Sequence, residues 1–337
     1  MALERTFSGL TEAVTEFKLP TGVEAGYTFH IVPDSSHSRR AKPKREYWRR
    51  EASLGRGAFG SVFKERLVSQ GHGPPKFRAV KQIDLLTGPS ATGIDYGREL
   101  EAIAKFSHPK YERCFVKASG WYGGPEVGSL FIAMEYLEYG DLQSYLWNAA
   151  TLPEHEACEI SFQLLEGLEF MHNNGFAHRD LKPANILIKS EPPNQWWVKI
   201  SDFGISKRIA DGKGISSILA GTVAFFSPEV LDAGKTPSYD AYSADMWALG
   251  EIAHQMLTKE AVFDRPSTKL EYGRGDVEYP NDRLMAYQVS NHGQSFIVSV
   301  MHPFPTKRLK VDQALSHDWI RPFADIDSDF MPLESVQ

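Results

Sequence analysis

Cysteine is nearly missing from this 337-residue chain: Cys114 and Cys158 are the only two. A disulfide-stapled extracellular scaffold uses more, so the pair reads as packing thiols in a reducing compartment. Long hydrophobic runs are missing as well. The most apolar stretches, residues 130–134 and 296–301, fall well short of the roughly 20 residues that cross a bilayer. The N-terminus lacks the basic-then-apolar layout of a secretory leader. Charge of one sign is not in large excess: the net charge is −6, and nothing global marks a nucleic-acid-binding surface. No internal repeat is visible. These absences lead to the expectation of a soluble, intracellular protein of the cytoplasm and/or nucleus, with no direct nucleic-acid or membrane contacts. The chain is instead rich in core material, 42% hydrophobic, enough for one compact unit of two lobes.

Residues 1–46 are mixed and polar and end in a basic run containing Arg39-Arg40 and Lys42-Pro43-Lys44-Arg45. They read as an N-terminal arm or linker. The run itself reads first as a solvated charge cluster, with a nuclear-import signal or a docking tail as alternatives. From residue 47 the texture changes. Short β-like runs at 62–67, 77–83, 115–121 and 129–136 are separated by glycine and proline turns. One helical stretch, 94–106, interrupts them, with Ile94, Leu100, Ile103 and Phe106 on its apolar side. After Gly140 the pattern turns helical. Residues 153–173 carry Ile160, Leu164, Leu168 and Met171 at helix spacing behind Pro153. Further helices are expected at 245–257 and 311–319, and residues 325–337 form an acidic tail. A β-rich piece followed by an α-rich piece predicts an α+β chain with a domain over 47–324, its first lobe 47–137 and its second 138–324.

Gly55, Gly57 and Gly60 form a G-x-G-x-x-G pattern. Dinucleotide-binding folds use the same spacing, but there the glycines open a helix. Here the following residues, 62–67, read as a strand, so the glycines sit at a hairpin where backbone amides can approach phosphate. A merely structural hairpin turn remains the alternative. Lys81 lies in the strand-like Arg78-Ala79-Val80-Lys81-Gln82-Ile83. An inward lysine needs a partner, and Glu99 or Glu101 of the helical stretch could supply one. A lysine snorkelling to the surface is the simpler reading of that residue alone.

His178-Arg179-Asp180-Leu181-Lys182-Pro183-Ala184-Asn185, a short strand, and then Asp202-Phe203-Gly204 follow the long helix. Together with the glycine loop and Ala79-Val80-Lys81, these motifs resemble the eukaryotic protein kinase family over most of the chain. The resemblance implies a bilobal fold: a small antiparallel sheet with one main helix, then a larger helical lobe. It also implies ATP and Mg2+ as cofactors. Asp180 would orient the hydroxyl that attacks the phosphoryl group, Lys182 would reach the transferring phosphate, and Asn185 and Asp202 would hold the metal. The family places its helical glutamate nine residues before a His-Pro pair, which selects Glu99 as the partner of Lys81. Leu54, Val62, Ala79 and Leu187 would sandwich adenine. Met134 would be the gatekeeper, and the backbone of Glu135 and Leu137 would bond the ring.

Lys182, and Thr222 ahead of Ser227-Pro228-Glu229, resemble the serine/threonine type, with Thr222 placed to bond Asp180 and Lys182. Ser227 departs from the usual alanine. The resemblance further pairs Glu229 with Arg308 and has Asp245 brace the catalytic loop. The ending Ala314-Leu315-Ser316-His317-Asp318-Trp319 is similar to the calmodulin-dependent and checkpoint-type group. Members that prefer basic substrates carry an acidic residue where this chain has Ala184, leaving Asp141 as one acidic candidate. Arg179 implies control by a phosphate on the activation segment. The position usually used is Ile218, so Ser216 and Ser217 are the candidates, or the segment needs no phosphate. The expected partners are protein substrates and a possible upstream kinase, and the expected state is a monomer. A nucleotide-binding scaffold or a small-molecule kinase are the competing classes. Lys81, Asp180 and Asp202 argue against the first, and the segment from Gly221 to Glu229 argues against the second.

Overall fold

The computed structural model describes residues 11–33, 43–57, 60–69, 74–85, 96–123, 128–202, 223–232 and 239–328. The chain divides into two compact units, Met1–Leu137 and Glu138–Gln337.

The first unit is built on strands β1 (Thr21–Glu24), β2 (Tyr27–Val32), β3 (Lys44–Gly57), β4 (Gly60–Leu67), β5 (Phe77–Asp84), β6 (Ala118–Gly123) and β7 (Ser129–Glu135). Its helices are α1 (Glu12–Glu16) and α2 (Tyr96–Phe106). Neighbouring strands are antiparallel in the order β1-β2-β3-β4-β5-β7-β6. The expected strand at 115–121 lies three residues later, at Ala118–Gly123, because Phe115 and Val116 are spent in the buried approach to it.

Residues 11–32 correct the expectation of an arm over 1–46. The β1–β2 hairpin turns on Ala25 and Gly26, with φ of 51° and 82°. Two consecutive positive φ values match the right-handed twist of the flanking strands. The same run of chain ties the two margins of the sheet together. Trp121 N–H donates to Phe17 O at 3.2 Å and Leu19 N–H donates to Trp121 O at 2.8 Å, while residues 21–24 pair with β2. The sheet therefore returns on itself, which satisfies edge groups that would otherwise face water. Gly120 allows the seam: at φ 145° a Cβ there would meet Leu19 Cγ at 2.6 Å and Phe17 O at 2.8 Å. Helix α1 lies beside α2, and its Val14 carbonyl accepts the Trp121 indole N–H at 2.9 Å.

One sheet face holds Val80, Tyr122, Phe131 and Ala133, with Leu19 against them. Tyr122 stacks on Phe131, and His30 meets Tyr122 edge-on at 4.9 Å. Buried among the strands, Arg78 makes two bonds to Glu65 Oε2, at 2.7 and 3.0 Å, and lies 4.1 Å over the Trp48 ring. The alternation of side chains along a strand sends Ala79 and Lys81 to the other face.

The second unit contains α3 (Leu142–Asn148), α4 (Glu154–Asn173), the hairpin β8 (Ile186–Ser190) and β9 (Trp197–Ile200), and α5 (Pro228–Leu231). After these come α6 (Ala241–Thr258), α7 (Pro266–Arg274), α8 (Asp282–Ala286), α9 (Asn291–Val300), α10 (Val311–Leu315) and α11 (Arg321–Ser328). Helix α6 begins four residues before the expected 245. Asp240 caps it by accepting from Tyr242 N–H and Ser243 Oγ–H, a polar signal that an apolar pattern does not carry. Helix α10 stops at Leu315 rather than 319, and Trp319 still reaches the core. Helix α11 carries the backbone to Ser328, into the stretch expected to be tail. Cys114 and Cys158 are both buried, as packing thiols should be.

His30 supplies a test of this first-unit core. The ring is 2% exposed, its Nδ1 lies 2.7 Å from the Thr21 hydroxyl, and its Nε2 is buried without a partner. Burial, assisted by Arg78, pushes it from 6.5 to about 3. Between those values the unfolded chain binds more protons, so stability is intact above pH 6.5 and is lost as the pH falls. Urea unfolding at pH 7 and pH 5 should show His30→Gln losing up to about 1.4 kcal/mol less per pH unit than wild type. Equal acid sensitivity in the two proteins would mean that the ring is not buried neutral.

Candidate active site

In the first unit the glycine pattern closes the β3–β4 hairpin. Gly57 pairs with Gly60 and Gly55 with Val62, and a strand follows, not a helix. The dinucleotide reading is thereby excluded on geometry. Gly60 has φ 148°, and a Cβ there would fall 1.8 Å from Gln82 O, so the hairpin tip lies against β5. Lys81 sits on β5 opposite Ile132 and is 8% exposed, so it does not snorkel. Glu99 lies on α2, but its side chain is outside the described residues. Ala79 is paired in register with Met134. Glu135 N–H donates to Lys117 O at 2.9 Å, and its carboxylate accepts Lys117 N–H at 2.8 Å. Leu137 is buried and Leu54 is exposed.

In the second unit the loop 178–185 connects α4 to β8 and is fixed by hydrogen bonds at both ends. Asp245, 1% exposed on α6, accepts three of them. Its Oδ1 takes Arg179 N–H at 2.7 Å, and its Oδ2 takes His178 N–H at 2.8 Å and His172 Nε2 at 3.0 Å. A buried carboxylate is tolerated only when its lone pairs are filled in this way. His178 passes the constraint on. Asp180 N–H donates to its Nδ1 at 3.3 Å, so Nδ1 carries no proton, and Nε2–H donates to Ser201 O at 2.9 Å. Ser201 N–H and Oγ–H both donate to Asn185 O, at 2.9 and 3.0 Å. Asp180 and Asp202 are thus tied to one another through His178, Ser201 and Asn185.

Around Asp180, Lys182 Nζ donates to Oδ2 at 2.8 Å. Asn185 Nδ2 donates to the Asp180 carbonyl at 2.8 Å and more weakly to Oδ2 at 3.3 Å. That choice for Nδ2 leaves Oδ1 as the amide's donor atom for a hard cation, the ligand type Mg2+ takes. Arg179 and Asp202 hold left-handed backbones, φ 63° and 55°. Each costs on the order of 1–3 kcal/mol and persists only where surrounding bonds over-determine it. Leu187 lies on β8, with its backbone bridged to Asp141.

Asp141 itself is used as the cap of α3, accepting Ser144 N–H and Oγ–H at 2.8 and 3.0 Å. Glu229 and Arg308 form the expected pair, at 2.8 and 3.2 Å, and Arg308 also donates to Ser243 O and His302 O. Thr222, Ser216, Ser217, Phe203 and Gly204 lie outside the described residues. A small pocket beside Asp180 is lined by Arg179, Phe225, Phe226, Val230 and Tyr239. Sequence reading missed its aromatic wall. Phe225 and Phe226 directly precede Ser227-Pro228-Glu229, and that adjacency was the available signal. It also missed His172, whose ring lies tilted against Tyr242 at 4.7 Å between centroids while reaching Asp245.

Comparison with known proteins gives a consistent result. Residues 48–320 match the family described as protein kinase domain. The chain is 32% identical over 282 residues to serine/threonine-protein kinase RAD53 of Saccharomyces cerevisiae, covering 80% of this chain and 32% of that protein. It is 30% identical to serine/threonine-protein kinase cds1 of Schizosaccharomyces pombe, covering 84% and 60%. The chain therefore spans between about a third and three fifths of the length of these two relatives. Among solved structures, Rad53 1-466 in complex with AMP-PNP is similar with a TM-score of 0.63 at 30% identity, covering 80% of this chain and 64% of that one.

The bonding around Asp245 has a direct consequence. Asp245→Ala leaves two buried loop N–H groups without acceptors, each costing about 1–3 kcal/mol. We expect a lowered Tm together with faster amide exchange at His178 and Arg179 than the fall in global stability accounts for. Unchanged protection at those two amides would show that Asp245 does not hold the loop.

Proposed function

The chain belongs to the protein kinase family, and on that premise we propose that it transfers the γ-phosphate of ATP to serine and threonine hydroxyls of other proteins. The observation that carries this reading is the arrangement at Asp180. Its carboxylate is 8% exposed, is bonded to Lys182 at 2.8 Å, and the residue lines a small pocket together with Phe225 and Phe226.

Asp180 orients the attacking hydroxyl and takes its proton, a role worth about 10²–10⁴ in rate. Lys182 places its ammonium beside that carboxylate, where charge on the transferring group is to be neutralised. Asn185 and Asp202 are the residues that would hold Mg2+. Held there with ATP, the ion would supply neutralisation of phosphate charge. In the first unit, the glycines at 55, 57 and 60 offer backbone amides to phosphate. Lys81 supplies a buried ammonium for the phosphates, with Glu99 as its proposed partner. Leu54, Val62 and Ala79 supply apolar contact for adenine, with Met134, Glu135 and Leu137 along its edge; the family likeness alone adds Leu187 of β8. The solved relative bound to AMP-PNP supports nucleotide binding. Lys182 and the serine/threonine kinases among the relatives support the choice of hydroxyl.

Transfer from labelled ATP to dephosphorylated casein, followed by phosphoamino-acid analysis, tests the reading. Label should appear on serine and threonine and fall by at least about 10²-fold in Asp180→Asn. Asp180→Asn should retain the rise in Tm that Mg-ATP gives the wild type, whereas Asp202→Asn should lose part of it. A rise in Tm without any transfer from wild type would favour a nucleotide-binding scaffold.

Arg179, exposed and held at φ 63°, is the proposed receptor for an activating phosphate on Ser216 or Ser217. Mass spectrometry of active protein should find that phosphate. Full activity with both serines unmodified would overturn this regulation and leave the transfer reaction intact.

A further inference from the structure

Helix α7 carries a lysine that the transfer chemistry does not use. Lys269 is 2% exposed, yet among the described residues its ammonium makes no ion pair within bonding distance. Instead it donates to three backbone carbonyls of one short segment: Val223 at 3.1 Å, Ala224 at 2.5 Å and Phe226 at 3.0 Å. An ammonium has three donors, and all three go to this segment. Its stem passes the Trp247 ring, with Nζ 5.8 Å from the centroid.

The compensating charge is Glu251 on α6, fully buried, with Oε1 bonded to Gln255 Nε2 and to Val262 N–H, at 2.7 and 3.2 Å. Burial pushes Lys269 down to about 8 while Glu251 pulls it back up, and Lys269 in turn opposes the upward push that burial gives Glu251. Two buried ionisable groups on separate helices, both turned inward, are expensive in an apolar core. A purely structural helix contact does not require them.

The place where the ammonium acts gives that expense a purpose. Phe225 and Phe226 wall the pocket beside Asp180, and their backbone is the part that Lys269 binds. A second contact of the same helix acts on the same stretch. Gly273, one turn beyond Lys269 and on the same helix face, lies so close to Pro228 that a Cβ would fall 2.4 Å from that proline's Cβ. Helix α7 thus grips 223–228 at two points, one electrostatic and one steric.

We propose that Lys269 is a positioning residue for the protein substrate: with Glu251 as counter-charge, it clamps the carbonyls of 223–226 so that Phe225 and Phe226 present a fixed wall beside Asp180. This rests on the kinase reading above. The clamp acts on the acceptor protein and not on ATP, so it separates the two Michaelis constants.

The test uses the full chain with Lys269→Met/Glu251→Leu, which removes both buried charges for apolar groups of similar size and keeps the core filled. We expect KM for casein to rise roughly tenfold while KM for ATP stays within about twofold. Hydrogen exchange over residues 223–230 should quicken by more than the fall in Tm accounts for. Glu251→Gln, which keeps a carbonyl for Val262 N–H and drops the charge, should give a smaller shift of the same sign. An unchanged casein KM in the folded double variant would overturn the positioning role. Unchanged exchange over 223–230 would overturn the clamp itself. Absence of casein transfer in wild type would be a failure of the kinase reading, visible before any variant is made, and the exchange measurement would still decide the clamp.

Discussion

The carboxylate of Asp245 is the constraint on which the rest of the second unit's site depends. It is a buried charge on a buried helix, and its three donors come from α4 and from the loop that carries Asp180. Two of those donors are consecutive backbone amides, so the carboxylate fixes both the position and the direction of the chain there. The left-handed backbone at Arg179 is the cost of that turn. From His178 the constraint runs to Ser201 and Asn185, so the residues before Asp202 and after Asp180 belong to one bonded network. A site assembled this way is rigid before any ligand arrives, the condition under which charge stabilisation costs no reorganisation.

The segment after the undescribed 203–222 is held by the same kind of device. Arg308 reaches Glu229, Ser243 and His302, and Lys269 reaches the carbonyls just ahead of it. Both cations stand near the ring of Trp247, at 5.2 and 5.8 Å from its centroid. One aromatic residue on α6 therefore underlies both supports, and Asp245 projects from the same helix two residues earlier. Helix α6 is the common base of the loop 178–185 and of the stretch 223–231.

Much of this was legible in the sequence because its chemistry needs particular residue types in a fixed order. The glycine spacing followed by a strand pattern gave the hairpin. The motif from His178 to Asn185, with Asp202 beyond, gave the loop and its neighbour strand, and Glu229–Arg308 followed from the family likeness. Other features were not legible, for physical reasons that differ. The β1–β2 hairpin is short and polar on one side, and its turn is Ala25-Gly26, a weaker signal than Asn-Gly. The run leading into it pairs with Trp121 of β6, far along the chain, so no local pattern announces the closure. Lys269 reads as a surface lysine, because a helix with Ser267, Thr268 and Glu271 around it looks solvated. Only the packing of α7 against Pro228 turns that side inward. Asp141 looked like a spare acidic group, and its cap bonds account for it.

The closed sheet of the first unit also bears on how other molecules can reach it. Many proteins recruit peptides by lending an unpaired strand edge to an incoming strand, which gains its affinity from main-chain bonds. Here residues 17–24 occupy β6 with their first half and β2 with their second, so the lobe has already consumed its own edges. A chain trimmed to residue 48, where the family match begins, would lose that run and bare two margins at once. Such a fragment would be sticky in a way the intact protein is not, and a partner found to bind it by strand pairing would be reading the cut and not the molecule.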